Sequence, residues 1–283
     1  MKKNKRLFLF AIYDKDNIID DALVHYVSQV AKHGDVIVCT DCDCKKSEIQ
    51  KLKPYTIHTI SGRHGEYDFG SYKRAYQYAR DKNILKNYDT LYLINDSVFG
   101  PLIDIEPTLH KIEQLNTDAA GIVVSKHKTH IFMESWFIRL NKKVFLSKWF
   151  DEFISNVEKQ SCKTLVTIKY EHGLTTLVQN NHCSWGGIYT YRGRTTYNKP
   201  KQLFKHGCPF VKKISFTRHN GGLGNQIKYI LKHSKKSAVE SVISTSNRLY
   251  GEKYMKWFLT FNPFKIILRN TKYAIQKFKN GGI

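Results

Sequence analysis

Leu7–Tyr13 is a short, continuous run of hydrophobic residues that stops at the charged triplet Asp14–Asp16. A run of this length, rich in residues that favour β-structure, is typical of a strand buried on both faces. The lysines that precede it give the segment a superficial likeness to a secretory signal. The hydrophobic run is too short for one, however, and no small-residue cleavage site follows it. We therefore predict that the chain begins with a strand inside a sheet.

Segments with helical spacing alternate with further hydrophobic runs over the first hundred residues. Leu23 and Val27 recur at the spacing of a helix, and Val36–Cys39 predicts the next strand. Tyr55–Ile60 and Thr90–Ile94 predict two more strands. This alternation indicates an α/β protein with a mainly parallel sheet flanked by helices. The loops that follow the strands of such a sheet lie at one edge, where ligands bind.

The charge of the chain is strongly positive. Lys and Arg number 46 against 24 Asp and Glu, a formal net charge of +22. Such a balance predicts a polyanionic partner, which could be nucleic acid, an anionic membrane surface or a phosphate-bearing substrate. No zinc-finger spacing, RNA-recognition motif or basic coiled-coil region accompanies the charge, so we expect no nucleic-acid partner. No hydrophobic run approaches the roughly 18 residues of a spanning helix, so a soluble or peripheral protein is expected.

Residues 217–283 are predicted to form a basic helical extension to a domain at residues 1–216. Aromatic and aliphatic residues alternate with Lys and Arg from Trp257 to Lys279. This pattern is typical of a helix that lies on an anionic lipid surface, and Pro263 should divide that helix in two. The alternative is a terminal helix that docks on the core and leaves its basic face in solvent.

The predicted fourth strand ends abruptly at Asn95–Asp96–Ser97. A carboxylate at the end of a strand can hold Mg²⁺ or Mn²⁺, which would neutralise a departing diphosphate. Asp96 is placed for that role, and Asn95 and Ser97 can supply neutral oxygens. The same three residues before Gly100–Pro101 are also good turn formers, and the sequence alone leaves both interpretations open.

A second polar group lies in Tyr67–Lys73. Asp68 could accept hydrogen bonds from a ribose or a base, Gly70 would let the backbone approach an anion, and Lys73 would face phosphate. Tyr13, after the first strand, belongs to the same predicted edge and is the remaining candidate for donor binding. The alternative is an ordinary helix cap followed by an exposed lysine.

The segments Glu66–Lys73, Leu93–Pro101 and Gly207–Lys212, in this order, resemble the rhamnan synthesis protein F family. The resemblance covers residues 6 to 216, roughly three-quarters of the chain. It implies a GT-A-like, Rossmann-type nucleotide-sugar fold and a glycosyltransferase-like protein that assembles bacterial surface polysaccharides such as capsule or the O-antigen of lipopolysaccharide. Arg63–His64 departs from the lead-in expected for the family. Asn95–Asp96–Ser97 stands where GT-A enzymes usually carry an Asp-x-Asp pair.

The resemblance also implies an activity and a location. The protein would move rhamnose or another hexose or deoxyhexose from a nucleotide-diphosphate donor to a lipid-linked glycan, with Mg²⁺ or Mn²⁺ as cofactor. It would work on the cytoplasmic side, peripherally on the inner face of the bacterial membrane, alongside other polysaccharide-assembly proteins. The second hypothesis is a non-catalytic carbohydrate-binding or glycan-assembly protein on the same fold, with an eroded Asp-x-Asp.

An inverting transferase needs a general base for the acceptor hydroxyl. The resemblance to GT-A enzymes favours Glu171, which precedes the helical pattern Leu174–Val178. The alternative for Glu171 is a first-turn glutamate that complements the helix dipole. Glu134 is the rival base, and its neighbours Phe132 and Trp136 suggest either an acceptor wall or aromatic core packing.

Two further patterns carry weaker signals. Asp41–Cys44 suggests a metal site, but no second cluster of similar spacing supports one, so we expect an acidic loop with reduced thiols. His130, His172 and His206 are each candidates for a place near a site, with surface or core histidines as the default.

Overall fold

The computed structural model describes residues 4–127, 129–218 and 222–260, together with residues 264, 267–268, 271–272 and 274–275. The chain divides into two compact units. The first comprises Met1–Asp96 and Ile105–Gly193, and the second comprises Ser97–Asp104 and Arg194–Ile283.

The strands of the described residues, in chain order, are β1 (Arg6–Ile12), β2 (Asp35–Thr40), β3 (His58–Ser61), β4 (Thr90–Asn95), β5 (Val98–Phe99), β6 (Ala119–Lys126), β7 (Ile131–Met133), β8 (Phe137–Asn141), β9 (Trp185–Arg192) and β10 (Val211–Lys212). The α-helices are α1 (Asp21–Val30), α2 (Lys46–Gln50), α3 (Tyr67–Asp81), α4 (Glu106–Glu113), α5 (Lys142–Phe145), α6 (Lys148–Ser155), α7 (Lys163–Val166), α8 (Gly173–Asn180), α9 (Thr195–Asn198), α10 (Pro200–Lys205), α11 (Leu223–Lys232), α12 (Lys236–Tyr250) and α13 (Glu252–Leu259). Short 3₁₀ turns cover Lys53–Tyr55, Leu85–Asn87 and Lys213–Phe216, and Thr167–His172 is a π-helix.

The first unit is built on one mixed sheet. Its strand order is β3-β2-β1-β4-β8-β6, and β7 and β9 also pair with β6. Strands β1 to β4 are mutually parallel, whereas β8 runs antiparallel to both β4 and β6. The carboxyl ends of β1, β2, β3, β4, β6 and β9 therefore meet at the same edge. This arrangement confirms the predicted α/β class with a mostly parallel central sheet.

The hydrophobic pattern explains why β1 lies in the middle of the sheet. All seven of its residues are buried, and it has a parallel neighbour on each side. Helix α3 packs on this region because Phe69, Tyr72, Tyr76 and other apolar residues recur on one of its faces. The predicted strand at Tyr55–Ile60 is shorter than expected, because its first residue lies in a 3₁₀ turn that contains Pro54.

The second unit groups Ser97–Asp104 with the C-terminal helices. Strand β5 pairs antiparallel with β10, and the Leu102 backbone N–H donates to the Pro209 carbonyl at 2.8 Å. Phe99 packs against Phe216, whose ring also stacks on Phe258 of α13. The C-terminal part of this unit starts at Arg194, whereas the predicted domain boundary lies at residue 216.

Among the described residues, no helix combines the length and the apolar character needed to cross a bilayer. The predicted break at Pro263 lies outside the described residues, as does most of the chain that follows it.

Candidate active site

Two of the predicted donor-binding residues meet at the carboxyl edge of the sheet. Asn95 ends β4 and is buried, and its side-chain amide donates to the Asp68 carboxylate at 2.9 Å. Asp68 lies in the first turn of α3, 27 residues earlier in the chain. The side chains that the sequence placed in one site are thus in direct contact.

Asp96 follows at the same edge. Its backbone N–H donates to the Ala11 carbonyl at 3.2 Å, which extends the ladder between β1 and β4 by one residue. Its side chain is half-buried. Asp96 is thereby held at the end of the two central strands, the edge at which parallel sheets bind ligands.

Ser97 belongs to the second unit, where its hydroxyl accepts a hydrogen bond from the Lys212 ammonium at 3.1 Å. An ammonium at this distance opposes a metal cation on the same oxygen, so this arrangement does not favour Ser97 as a metal ligand. Within the described residues, no group of three or more His, Cys, Asp and Glu side chains is arranged to hold a metal ion. A Mg²⁺ ion that is bound through one carboxylate and the substrate's phosphates needs no such group.

A buried polar network that the sequence did not predict joins β2 to α3. The Asp41 carboxylate accepts backbone N–H groups of His64 and Gly65 at 2.7 and 2.8 Å. The Glu66 backbone N–H donates to Nδ1 of His64, so Nε2 carries the proton and faces the Ser71 hydroxyl at 3.0 Å. Burial, together with the charge of Arg74, lowers the pKa of His64 and keeps the ring neutral. The network ties the loop before α3 to the end of β2 and to Ser71 in α3.

The acidic loop Asp41–Cys44 packs against the loop before α3. Asp43 accepts hydrogen bonds from the backbone and the guanidinium of Arg63 at 3.0 and 3.3 Å. Burial and the neighbouring Cys42 raise the pKa of Cys44 to about 12, so its thiol stays protonated. The cysteines of this loop, Cys42 and Cys44, form no disulfide in the structure.

Lys73 faces other protein groups. Its ammonium lies 2.7 Å from the Glu66 carboxylate and donates to the Val157 carbonyl at 2.6 Å. Arg74 contacts the same carboxylate at 2.9 Å. Burial of Glu66 opposes ionisation, but the hydrogen bonds from Arg74 and Lys73 outweigh it and lower its pKa to about 2. Lys73 therefore supports the start of α3, in contrast to the expected contact with phosphate.

Gly70 also has a packing role. A Cβ atom at this position would lie 2.3 Å from Cβ of Glu66 and 2.9 Å from Cε1 of His64. The glycine thus makes room for those two side chains inside the first turn of α3.

Two exposed tyrosines flank the edge. Tyr13 follows β1 with half of its side chain exposed, and Tyr67 is 40% exposed at the start of α3. Tyr67 has a φ of 58°, a left-handed conformation that is strained for an aromatic residue. Strain of this kind clusters at functional sites, and residue periodicity gives no signal for it.

Glu134 lies in the short segment between β7 and β8, and Glu171 contacts this segment at Ser135. Glu134 is buried, and it accepts hydrogen bonds from the Ser125 hydroxyl at 2.6 Å and the Trp136 indole at 2.7 Å. Glu171 is half-buried, and one of its oxygens accepts both the backbone N–H and the hydroxyl of Ser135 at 2.8 and 2.9 Å.

The position of Glu171 within its helix differs from the prediction. It lies in the π-helix Thr167–His172, with α7 before it and α8 after it. It is therefore not a first-turn residue, and the helix-dipole alternative does not apply to it. A π-helical turn inside an α-helical stretch is frequently found at a functional site.

Next to Glu171, the rings of His127, His130, Phe132 and His172 form a cluster. Five of the ring pairs in this cluster have centroids 4.1 to 5.8 Å apart. Burial and the two neighbouring imidazoles lower the pKa of His172, so its neutral form is favoured. His130 and His172 are thus in ring contact with each other and with Phe132, and His172 directly follows Glu171 in the chain.

The comparison with curated proteins finds no significant match. Several solved structures are similar to this chain at low identity. A protein from Desulfovibrio desulfuricans G20, described as a nucleotide-diphospho-sugar transferase, is 14% identical with a TM-score of 0.42, and the match covers 89% of this chain and 98% of that one. S. aureus TarS is 10% identical with a TM-score of 0.40, covering 90% of this chain and 54% of that one. The glycosyltransferase GlyE of Streptococcus pneumoniae TIGR4 is 11% identical with a TM-score of 0.38, covering 96% and 64%.

The match that identifies the family is one of sequence. A profile of rhamnan synthesis protein F matches residues 36–267, which is most of the chain and includes all three motifs described above. The chain belongs to the rhamnan synthesis protein F family.

Proposed function

We propose that this protein is a glycosyltransferase that moves a sugar from a nucleotide-diphosphate donor to a growing surface polysaccharide. The observation that carries the proposal is the contact between Asp68 and Asn95 beside Asp96, at the carboxyl edge of a parallel sheet in a member of this family. The donor sugar is rhamnose or another hexose or deoxyhexose, in keeping with the family's description.

The donor binds at this edge. The Asp68 carboxylate is oriented by Asn95 and accepts hydrogen bonds from hydroxyl or amine groups of the nucleoside. The exposed ring of Tyr13 packs on the nucleoside. Gly70 and Lys73 act indirectly, because their contacts with Glu66 hold the turn that carries Asp68.

A divalent cation fits this site if the substrate supplies part of its ligands. Asp96 supplies one carboxylate, and the donor diphosphate supplies the remaining charged oxygens. Mg²⁺ or Mn²⁺ bound there would neutralise charge on the departing nucleoside diphosphate. One of the similar solved structures, core-mannan synthase A from Aspergillus fumigatus, is a Mn/GDP form.

Glu171 is the proposed general base. As the acceptor oxygen bonds to the anomeric carbon and the bond to the diphosphate breaks, the hydroxyl proton passes to the Glu171 carboxylate. The two hydrogen bonds from Ser135 fix one oxygen of that carboxylate and so set the direction of the other. Both oxygens of Glu134, in contrast, accept buried protein hydrogen bonds.

The acceptor lies against the ring cluster of His127, His130, Phe132 and His172. Aromatic and neutral imidazole faces pack on the C–H faces of sugar rings. We place the lipid-linked end of the acceptor at the inner face of the cytoplasmic membrane. The exposed apolar side chains of Phe264, Ile267, Leu268 and Ile275, which are interspersed with lysines and arginines, support a peripheral contact with anionic lipid.

Donor hydrolysis in the presence of Mg²⁺ or Mn²⁺ tests the enzyme assignment. We expect Asp96→Ala to lower turnover of the accepted nucleotide-sugar by about a hundred-fold or more, a loss of the size seen when a key electrostatic group is removed. Asp81→Asn is the matched control, because that exposed carboxylate contacts only its neighbour Arg80 in the described structure.

The alternative is a non-catalytic glycan-assembly or carbohydrate-binding protein on the same fold. It predicts nucleotide binding without turnover for every donor and acceptor in a panel, and an Asp96→Ala variant that changes binding only. Turnover that persists unchanged in Asp96→Ala would contradict the proposed role of Asp96.

A further inference from the structure

The excess of positive charge is concentrated in the second unit. Residues 97–104 and 194–283 contain 19 Lys and Arg against 3 Asp and Glu, a formal charge of +16 out of the +22 of the whole chain. The proposed catalytic groups lie in the first unit and do not account for this charge. A surface with so few carboxylates attracts anions.

Part of this charge lines a pocket of about 340 Å³ between α10, α11 and the residue that joins α9 to α10. Its lining residues are Lys199, Lys201, Gln202, Lys205, His206 and Gln226. None of them is acidic. Within the described residues, no carboxylate lies within ion-pair distance of the three lysines.

The backbone of this pocket is held by one side chain. Gln226 donates to the Asn198 carbonyl at 3.0 Å and accepts from the Lys201 backbone N–H at 3.3 Å. These two bonds span Lys199 and tie its segment to α11. The position from which Lys199 projects is therefore set by the fold.

The ring of Tyr229 contacts the ammonium groups of both Lys201 and Lys205. The Nζ atoms of Lys201 and Lys205 lie 4.0 and 5.6 Å from the centroid of Tyr229. The two lysines are one helical turn apart, a spacing at which like charges repel. The cation–π contacts offset part of this repulsion, and an anion between the lysines would offset the rest.

We propose that this pocket binds a phosphate or diphosphate group. Three ammonium groups and the amide of Gln202 provide charge-assisted donors without an opposing carboxylate, which suits a multiply charged oxyanion. The group comes either from a lipid headgroup or from a soluble diphosphate, and both share this chemistry. The proposal does not depend on the chain being a glycosyltransferase.

Calorimetric titration of the full-length protein with sodium pyrophosphate in EDTA tests the pocket. Lys199→Gln combined with Lys205→Gln removes two exposed ammonium groups, and we expect it to weaken binding by about ten-fold or more.

The control, Lys232→Gln with Lys253→Gln, removes the same charge from exposed positions outside the pocket. It should leave the affinity within about two-fold, because long-range charge effects are screened by salt. Thermal unfolding establishes that both variants fold, and the single Lys205→Gln variant replaces the double one if it does not.

Flotation with phosphatidylcholine vesicles, with and without phosphatidylglycerol, separates the sources. A larger loss of binding to the anionic vesicles in the pocket variant than in the control supports a lipid phosphate. A difference confined to pyrophosphate supports a soluble diphosphate. Equal behaviour of pocket and control variants in both assays overturns the proposal.

Discussion

At the scale of single residues, Glu134 and Glu171 contact neighbouring residues of one segment in different ways. Glu134 accepts buried hydrogen bonds from Ser125 and Trp136 on its two oxygens. Glu171 uses one oxygen for both of its hydrogen bonds from Ser135. The first arrangement is typical of a structural carboxylate, and in the second Ser135 fixes the orientation of the Glu171 carboxylate.

Glu171→Gln should therefore affect catalysis, whereas Glu134→Gln should affect stability. For Glu171→Gln we expect a fall in kcat of about a hundred- to ten-thousand-fold, the range for loss of a general base, with little change in Tm. For Glu134→Gln we expect a loss of about 1–3 kcal/mol in the free energy of unfolding, because an amide N–H₂ cannot accept a hydrogen bond from the hydroxyl or the indole. Steady-state kinetics and urea unfolding measure the two effects, and a stable Glu134→Gln enzyme without activity would reverse the assignment.

At the scale of elements, the start of α3 is the best-defined feature of the site. Glu66, His64 and Gly70 pack in its first turn, and Lys73 and Arg74 bind the Glu66 carboxylate from the second. Close packing and ion pairs together thus hold the turn that carries Asp68.

Gly70→Ala should destabilise the protein by about 1–3 kcal/mol, the usual cost of overpacking a close contact. Gly173→Ala is the matched control in another helix, because its added Cβ would meet neighbours only at 3.8 Å. Alanine favours helix over glycine by up to about 1 kcal/mol, so that variant should be neutral or more stable. Urea unfolding of both variants measures the difference, and equal stability would show that Glu66 and His64 move aside at no cost.

The stabilising effect of Glu66 should depend on pH. Its pKa is lowered from 4.5 to about 2 in the folded protein. A carboxylate with a lowered pKa stabilises the fold above its unfolded pKa, and this contribution is lost as the pH falls through the folded value. The difference in unfolding free energy between wild type and Glu66→Gln should therefore be constant near neutral pH and shrink from about pH 4.5 downward. Urea titrations across this range would contradict the assignment if the difference did not change.

At the scale of the whole molecule, the two units differ in charge. The first unit carries the proposed catalytic edge, and the second carries most of the net positive charge. Phe264 and Ile267 are 81% and 62% exposed, so they contribute little to the core.

Phe264→Ser combined with Ile267→Ser should weaken binding to anionic vesicles without lowering Tm, because each apolar side chain buried in a membrane contributes roughly 1.5–3 kcal/mol. Ile57→Ser, at a position 47% exposed in the first unit, is the control. Vesicle co-sedimentation at low and high salt makes the measurement. If the double variant bound vesicles as tightly as the control, the terminal segment would not be the membrane contact.

Much of the edge could be predicted from sequence. The hydrophobic run of β1 and the abrupt end of β4 at Asn95 predicted where the strands stop, because strand periodicity is a local property. Asp68 and Asn95 were assigned to one site and are in contact. Lys73 was expected to face phosphate because helix position was the only information available. Its partner Val157 is 84 residues away, and nothing local in the sequence indicates that contact.

The sequence by itself determined the α/β class, the edge at which the candidate site lies and, through three ordered motifs, the family. Tertiary structure alone decided which protein groups each polar side chain near that edge contacts. In the folded protein Glu134 accepts hydrogen bonds from Ser125 and Trp136, and Lys73 pairs with Glu66. Gly70 makes room for neighbouring side chains. The tertiary structure also gathered Lys199, Lys201 and Lys205 into one pocket. The physical reason is that a hydrogen bond or an ion pair depends on distance in space, whereas periodicity and motifs report only distance along the chain.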